Sequence, residues 1–183
     1  MRTSKPYLRC AAALAGLTLT GGCASMVRTA SVADLEKQAV GAWRLVKTEQ
    51  KLADGTVRAK PAYGPNGTGY IIYDTSHMMC VFLANPDAPP PVPGQPRGEP
   101  GSSMENPASY CARWHVDPRG PWMVHKIEMI ARSPEKGATA LKVGDQIKRQ
   151  FRREGDRLYL RPTEAAPGVV DYVLTFERVR NDG

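Results

Sequence analysis

The sequence predicts an all-β protein, an antiparallel up-and-down barrel with a short N-terminal helix and a long proline-rich loop. Three observations carry that expectation. From Gly41 onward, segments alternate apolar and polar residues at a period of two, and turn residues separate each segment from the next. No stretch inside that set keeps a helical periodicity. A meander of about eight to ten strands escapes exposed sheet edges best by closing on itself.

The elements before the barrel come first. Residues 1–22 read as a signal peptide: MRTSKPYLR is basic, and CAAALAGLTLT is an apolar run too short to span a bilayer. Thr20-Gly21-Gly22-Cys23 resembles the lipobox of bacterial lipoproteins, in which small residues precede a cysteine that is acylated and becomes the mature N-terminus. The pattern departs at Thr20, where Leu is preferred, with Leu19 one place earlier. The resemblance implies lipidation at Cys23 and a membrane partner held through that anchor. Ala24 stands where an inner-membrane retention signal tends to have Asp, which implies an outer-membrane lipoprotein facing the periplasm. Ordinary cleavage to a soluble periplasmic or secreted protein is the alternative.

Export changes how charge and cysteine are read. Formal charge is +7, but Arg2, Lys5 and Arg9 leave with the leader and +4 remains, an ordinary surface with no call for a nucleic-acid partner. Cys10 leaves as well, and Cys23 is taken by lipid. Cys80 and Cys111 remain as an even pair, and a disulfide or two buried free thiols would each fit them.

Residues 23–39 form a small-residue tether followed by a short helix over 31–38, with Ser31 as N-cap and Asp34 in the first turn. The barrel is expected over 40–180. GAWRLVKTEQKL is a strand stopped by Ala53-Asp54-Gly55, and Thr56 to Ala62 is expected to pair back on it. Pro65-Asn66-Gly67 turns into GTGYIIYD, which is followed by HMMCVFLA. Residues 85–107 then place eight prolines in 23 positions, a density that removes ladder donors and excludes a central strand. That stretch is a surface loop inserted in the barrel, or a lid or partner-binding loop. YCARWHVD, WMVHKIEMIA, QIKRQFRRE, RLYLRP and DYVLTFERVR complete the meander.

Several of these pieces are similar to the bacterial lipocalin-like domain family. The opening Gly41-Ala42-Trp43-Arg44-Leu45-Val46 is one. Tyr63-Gly64 with Gly69-Tyr70-Ile71-Ile72-Tyr73-Asp74 is another. Val124-His125, Pro134, Gly137, Arg149 and Gly155-Asp156 with Leu158 and Leu160 follow in order. The likeness runs from about Gly41 to Val179, interrupted by the proline-rich insertion. It implies a β-barrel with an internal cavity and carries no settled activity.

For chemistry, the absences are informative. There is no G-x-S-x-G, H-E-x-x-H or C-x-x-C, and no glycine loop followed by Lys. No cofactor is implied. His77, His115 and His125 are expected on three separate strands, without metal-ligand spacing, and His115 shares a solvent face with Arg113 and Asp117. His125 shares its strand face with Met123, Ile127 and Met129, and Arg149 shares one with Ile147 and Phe151. An arginine on an apolar face must find an anion or acceptor. Pairing with Glu128, Asp171 or Glu177 at the rim is one outcome. Greeting the polar end of an amphipathic ligand, with Arg149 favouring a carboxylate, is the other. Trp43, Tyr70, Tyr73, Trp114 and Phe176 read first as core, with Trp43 closing the barrel floor. His125, Arg149, Trp43, Met123, Tyr73 and Phe151 are the candidate ligand-binding residues. The expected function is an envelope lipoprotein holding a small, mostly apolar molecule. A barrel-type isomerase or cyclase, or a scaffold acting through the proline-rich loop, is the alternative.

Overall fold

The computed structural model describes residues 30–88, 108–132, 141–163 and 167–180. The leader, Cys23, most of the tether and most of the proline-rich insertion lie outside the described residues. One short helix, α1 (Val32–Ala39), precedes nine strands: β1 (Gly41–Leu52), β2 (Val57–Arg58), β3 (Thr68–Tyr73), β4 (Met78–Ala84), β5 (Ser109–Asp117), β6 (Trp122–Arg132), β7 (Gln146–Glu154), β8 (Arg157–Pro162) and β9 (Val169–Arg178). All pairings are antiparallel: β1 pairs with β2, β3 and β9, and from β3 to β9 neighbours in sequence are neighbours in the sheet. The result is a closed barrel of eight strands, with β2 a two-residue flap on the edge of β1. Only Val57 and Arg58 of the expected return strand over 56–62 pair with β1.

The helix starts where its cap predicts. Ser31 Oγ accepts from the Asp34 amide at 3.2 Å, and the Asp34 carboxylate accepts from the Ser31 amide at 3.3 Å, a reciprocal capping box. Its end is set by the floor of the barrel. Trp43 is 0% exposed, and its indole Nε1 donates to the Ala39 carbonyl at 2.7 Å. Arg178 of β9 donates from Nη2 to the Val40 carbonyl at 2.9 Å and lies 4.5 Å from the centre of the Trp43 ring. The helix's last orphan carbonyls are thereby answered from the barrel. Gly41 makes the junction: its φ is +134°, and a Cβ there would stand 2.7 Å from the Arg178 guanidinium. Gly69 serves the β3–β4 pair likewise, since a Cβ would fall 1.9 Å from the Phe82 carbonyl oxygen.

Inward side chains fill most of the barrel. Trp43, Trp114, Tyr73, Phe176, Met79 and Met123 are the largest of the fully buried set. A small barrel leaves room for little beyond its own side chains. Alternation holds along most strands, but register shifts in two strand pairs reset it. The β1–β9 register skips Val46, so the inward set changes from Trp43 and Leu45 to Thr48 and Gln50. The β5–β6 register skips Glu128, which sends Met129 outward at 54% exposure and turns Ile130 towards the core. Met129 therefore does not share the His125 face, contrary to the period-2 reading. Asp117 also departs from expectation. It is buried beneath Arg119 and Lys148, which bond its carboxylate at 2.7 and 2.8 Å, while His115 and Arg113 remain exposed.

Cys80 and Cys111 are directly opposed on β4 and β5 and form a disulfide on the outer barrel face, Cα atoms 4.1 Å apart. The bond closes the loop that contains the proline-rich insertion, 31 residues in sequence separation. In the chain-entropy account such a loop contributes about 3–4 kcal/mol.

Two outcomes follow for stability. Trp43→Ala is expected to lose about 3–5 kcal/mol, and Trp43→Phe, which keeps the ring but loses the bond to Ala39, about 1–2 kcal/mol. Replacing Cys80 and Cys111 by Ser is expected to remove about 2–4 kcal/mol, matched by reducing the unmodified protein. Urea unfolding checks both, and variants as stable as the parent would contradict these assignments.

Candidate functional site

The end of the barrel opposite α1 holds an interior cavity of about 60 Å³. Its position follows from pairing: β2 returns from the far end of β1, bringing Lys60 and Tyr63 to that end. The apolar wall includes Ile71, Val81, Leu83, Leu160, Leu174 and Phe176. The polar wall is made by His125, Tyr110 and Arg149 together with Lys60, Tyr63 and Tyr172.

His125 reaches the cavity from β6, between Met123 and Ile127, with Trp114 and Ile147 as its cross-strand neighbours. It is 1% exposed. Tyr73 Oη lies 3.0 Å from its Nε2 and Tyr110 Oη 3.2 Å from its Nδ1. Burial pushes its pKa down to about 3, helped by the nearby Arg149 charge and by His115, so the ring is neutral at physiological pH. Burial raises the Tyr73 and Tyr110 phenols, keeping both protonated.

Arg149 comes from β7, on the inward face with Ile147 and Phe151. Its Nη1 donates to the Lys148 carbonyl at 3.3 Å. The three carboxylates that the sequence offered it are engaged elsewhere. Glu128 pairs with Arg113 at 3.3 Å, Asp171 with Arg161 at 3.6 Å and Glu177 with Arg44 at 3.4 Å. Those acids alternate outward on their strands, so the rim-pairing outcome is overturned. Among the described residues, Arg149 has no ion-pair partner.

Of the candidate ligand-binding residues, His125 and Arg149 meet at this cavity. Tyr73 touches it only through His125. Trp43 and Met123 pack the core away from it, and Phe151 instead borders a groove outside the barrel. All share the inward direction, but direction does not set height along the barrel axis. Tyr110 is the residue that the sequence reading missed. It alternates inward with Ala112 and Trp114, yet its meeting with His125 depends on the bulged β5–β6 register. His77 is not on a strand: it occupies the turn before β4 at φ +63°, with Nδ1 3.2 Å from the Trp114 carbonyl. Among the described residues, no three His, Cys, Asp or Glu side chains are grouped to hold a metal ion.

The outer groove is larger, about 500 Å³, between α1 and the β7–β8 hairpin, with Leu35, Gln38, Pro121, Arg152 and Arg161 on its walls. Arg152 pairs with Glu154 and Arg161 with Asp171.

The buried histidine has a measurable consequence. Its folded pKa near 3 lies below the ordinary 6.5, so the unfolded chain takes up a proton that the native state refuses. Its contribution is complete above about pH 6.5 and is lost as pH falls towards 3, at up to about 1.4 kcal/mol per pH unit. The Asp117 carboxyl, held well below its usual range by bonds from Arg119 and Lys148, acts only at lower pH. His125→Gln is expected to flatten stability between pH 6.5 and 4.5, read by urea unfolding across that interval. An unchanged slope would place the titrating group elsewhere.

No curated protein matches the chain. Among solved structures it is similar to Rv2717c from M. tuberculosis, with 15% identity and a TM-score of 0.29 over 84% of this chain and 100% of that one. A likeness so slight bears on neither fold nor function. The family model of the lipocalin-like domain matches residues 40–179, from the residue before β1 to the residue after β9. The chain therefore belongs to the lipocalin-like domain family.

Proposed function

We propose that this protein is a cell-envelope lipoprotein that holds one small, mostly apolar molecule inside its barrel. The observation that carries the reading is the interior cavity, walled by aliphatic and aromatic side chains and ending in a polar cluster around His125 and Arg149. Apolar pockets with a few convergent polar groups are the usual form of a small-molecule site. The volume restricts the occupant: an apolar cavity of about 150 Å³ holds one benzene, so about 60 Å³ admits only a small molecule. A long-chain lipid is too large without repacking of the core.

Binding is favoured over catalysis by the state of His125. Both ring nitrogens face tyrosine hydroxyls, which leaves no free lone pair for a substrate proton. The envelope location rests on the basic and apolar leader, on Cys23 in its lipobox-like setting, and on a disulfide that persists best in an oxidising compartment. On this reading Cys23 carries lipid, and the barrel faces the periplasm from the outer membrane.

Native mass spectrometry of the purified, delipidated chain against a small-molecule library is expected to show one ligand per barrel. Leu174→Trp, which fills the cavity from its wall, is expected to abolish that binding. Failure of every compound to bind the parent would overturn the reading. The mature N-terminus of protein taken from membranes is expected to be an acylated Cys23, and an unmodified N-terminus elsewhere would remove the anchor.

A further inference from the structure

The polar end of the cavity has a donor to spare. His125, Tyr73 and Tyr110 are joined by two hydrogen bonds, of 3.0 and 3.2 Å. A neutral imidazole carries one N–H and each phenol one O–H, which makes three protons for two bonds. One proton must therefore point away from the cluster, and the His125 tautomer decides which.

With the ring proton on Nε2, that nitrogen donates to Tyr73, Tyr110 donates to Nδ1, and the surplus O–H belongs to Tyr73. Tyr73 is 1% exposed, is packed against Trp114 with ring centres 5.2 Å apart, and does not line the cavity. Among the described residues its hydroxyl has no second polar partner. A buried hydroxyl left without an acceptor costs about 1–3 kcal/mol. With the proton on Nδ1, Tyr73 donates to Nε2, Nδ1 donates to Tyr110, and the surplus O–H belongs to Tyr110 on the cavity wall. The penalty selects this second arrangement.

The Tyr110 hydroxyl then shares the cavity wall with Arg149, which uses one of its five N–H donors on the Lys148 carbonyl. Arg149 brings a positive charge to the cavity wall, and among the described residues no carboxylate lines it. Arg149 is half-buried, and a carboxylate matches the charge and planar fork of its guanidinium, which a neutral ligand does not.

We propose that the cavity selects a short-chain carboxylate, its oxygens on Arg149 and Tyr110 and its tail against Ile71, Val81, Leu83 and Leu174. This rests on the ligand-binding reading above and adds the chemical class of the ligand. The available volume limits the tail to a few carbons.

Calorimetric titration of the full chain with butyrate, butyramide and n-butylammonium separates the two claims. Butyrate is expected to bind about ten-fold or more tighter than butyramide, and butylammonium not at all. Arg149→Met is expected to abolish the preference for butyrate over butyramide. Arg149→Lys, which keeps charge without the fork, retains a weaker preference and serves should the Met variant not fold. Tyr110→Phe is expected to weaken butyrate about three- to ten-fold. Equal affinity for butyrate and butyramide would overturn the carboxylate assignment and leave the cavity a ligand site. Failure of both probes, and of xenon under pressure, would remove the ligand reading as well. Nitrogen NMR of the His125 ring is expected to show the proton on Nδ1, and a proton on Nε2 would overturn the role of Tyr110.

Discussion

The Trp43 indole is the contact on which the rest of the molecule leans. Its N–H holds the last turn of α1, and its ring face carries the Arg178 guanidinium from the strand that closes the barrel. Arg178 in turn bonds the next helix carbonyl, at Val40. The helix, the strand that follows it and the last strand of the chain are thereby locked at one point. Burial lowers the Arg178 pKa, yet the group stays charged because the ring face and a helix C-terminus both favour a cation. Gly41 is required there because any side chain would collide with that same guanidinium.

A floor built this way is solid, and it confines empty space to the opposite end. Tyr73 and Trp114 stack edge to face above it and present His125 with its first hydrogen-bond partner. Beyond His125 aliphatic Ile71, Val81, Leu83 and Leu174 share the wall with Tyr110 and Tyr172, and the cavity begins. The barrel thus grades from packed core to ligand-sized void along one axis, and the neutral imidazole marks the transition. Its depressed pKa is the consequence of that position, since neither phenol can compensate a positive ring in a dry interior.

The outer surface has its own organisation. The disulfide sits between β4 and β5, and Ile72 and Met129 extend the same row onto β3 and β6. Tyr70 and Phe82 lie one row away, paired across β3 and β4. The bond holds together the two strands whose connection is the longest in the barrel, where closure by sheet hydrogen bonds alone carries the greatest entropy cost.

Local chemistry was legible in the sequence wherever neighbours along the chain decide the outcome. The Ser31 N-cap, the turn at Ala53-Asp54-Gly55 and most of the strand spans rest on spacing within a few residues, and the structure has them. Strand alternation likewise turned His125 and Arg149 inward, because a side chain's direction on a pleated strand depends only on parity. Parity failed at Met129, where a bulge inserts one residue without a sequence signal of its own. It could not say that Trp43 and Met123 lie away from the cavity, nor that Tyr110 would meet His125. Only the barrel's register and closure settle which residues share a height, because those depend on strands far apart in the chain and on how completely large side chains fill the space between them.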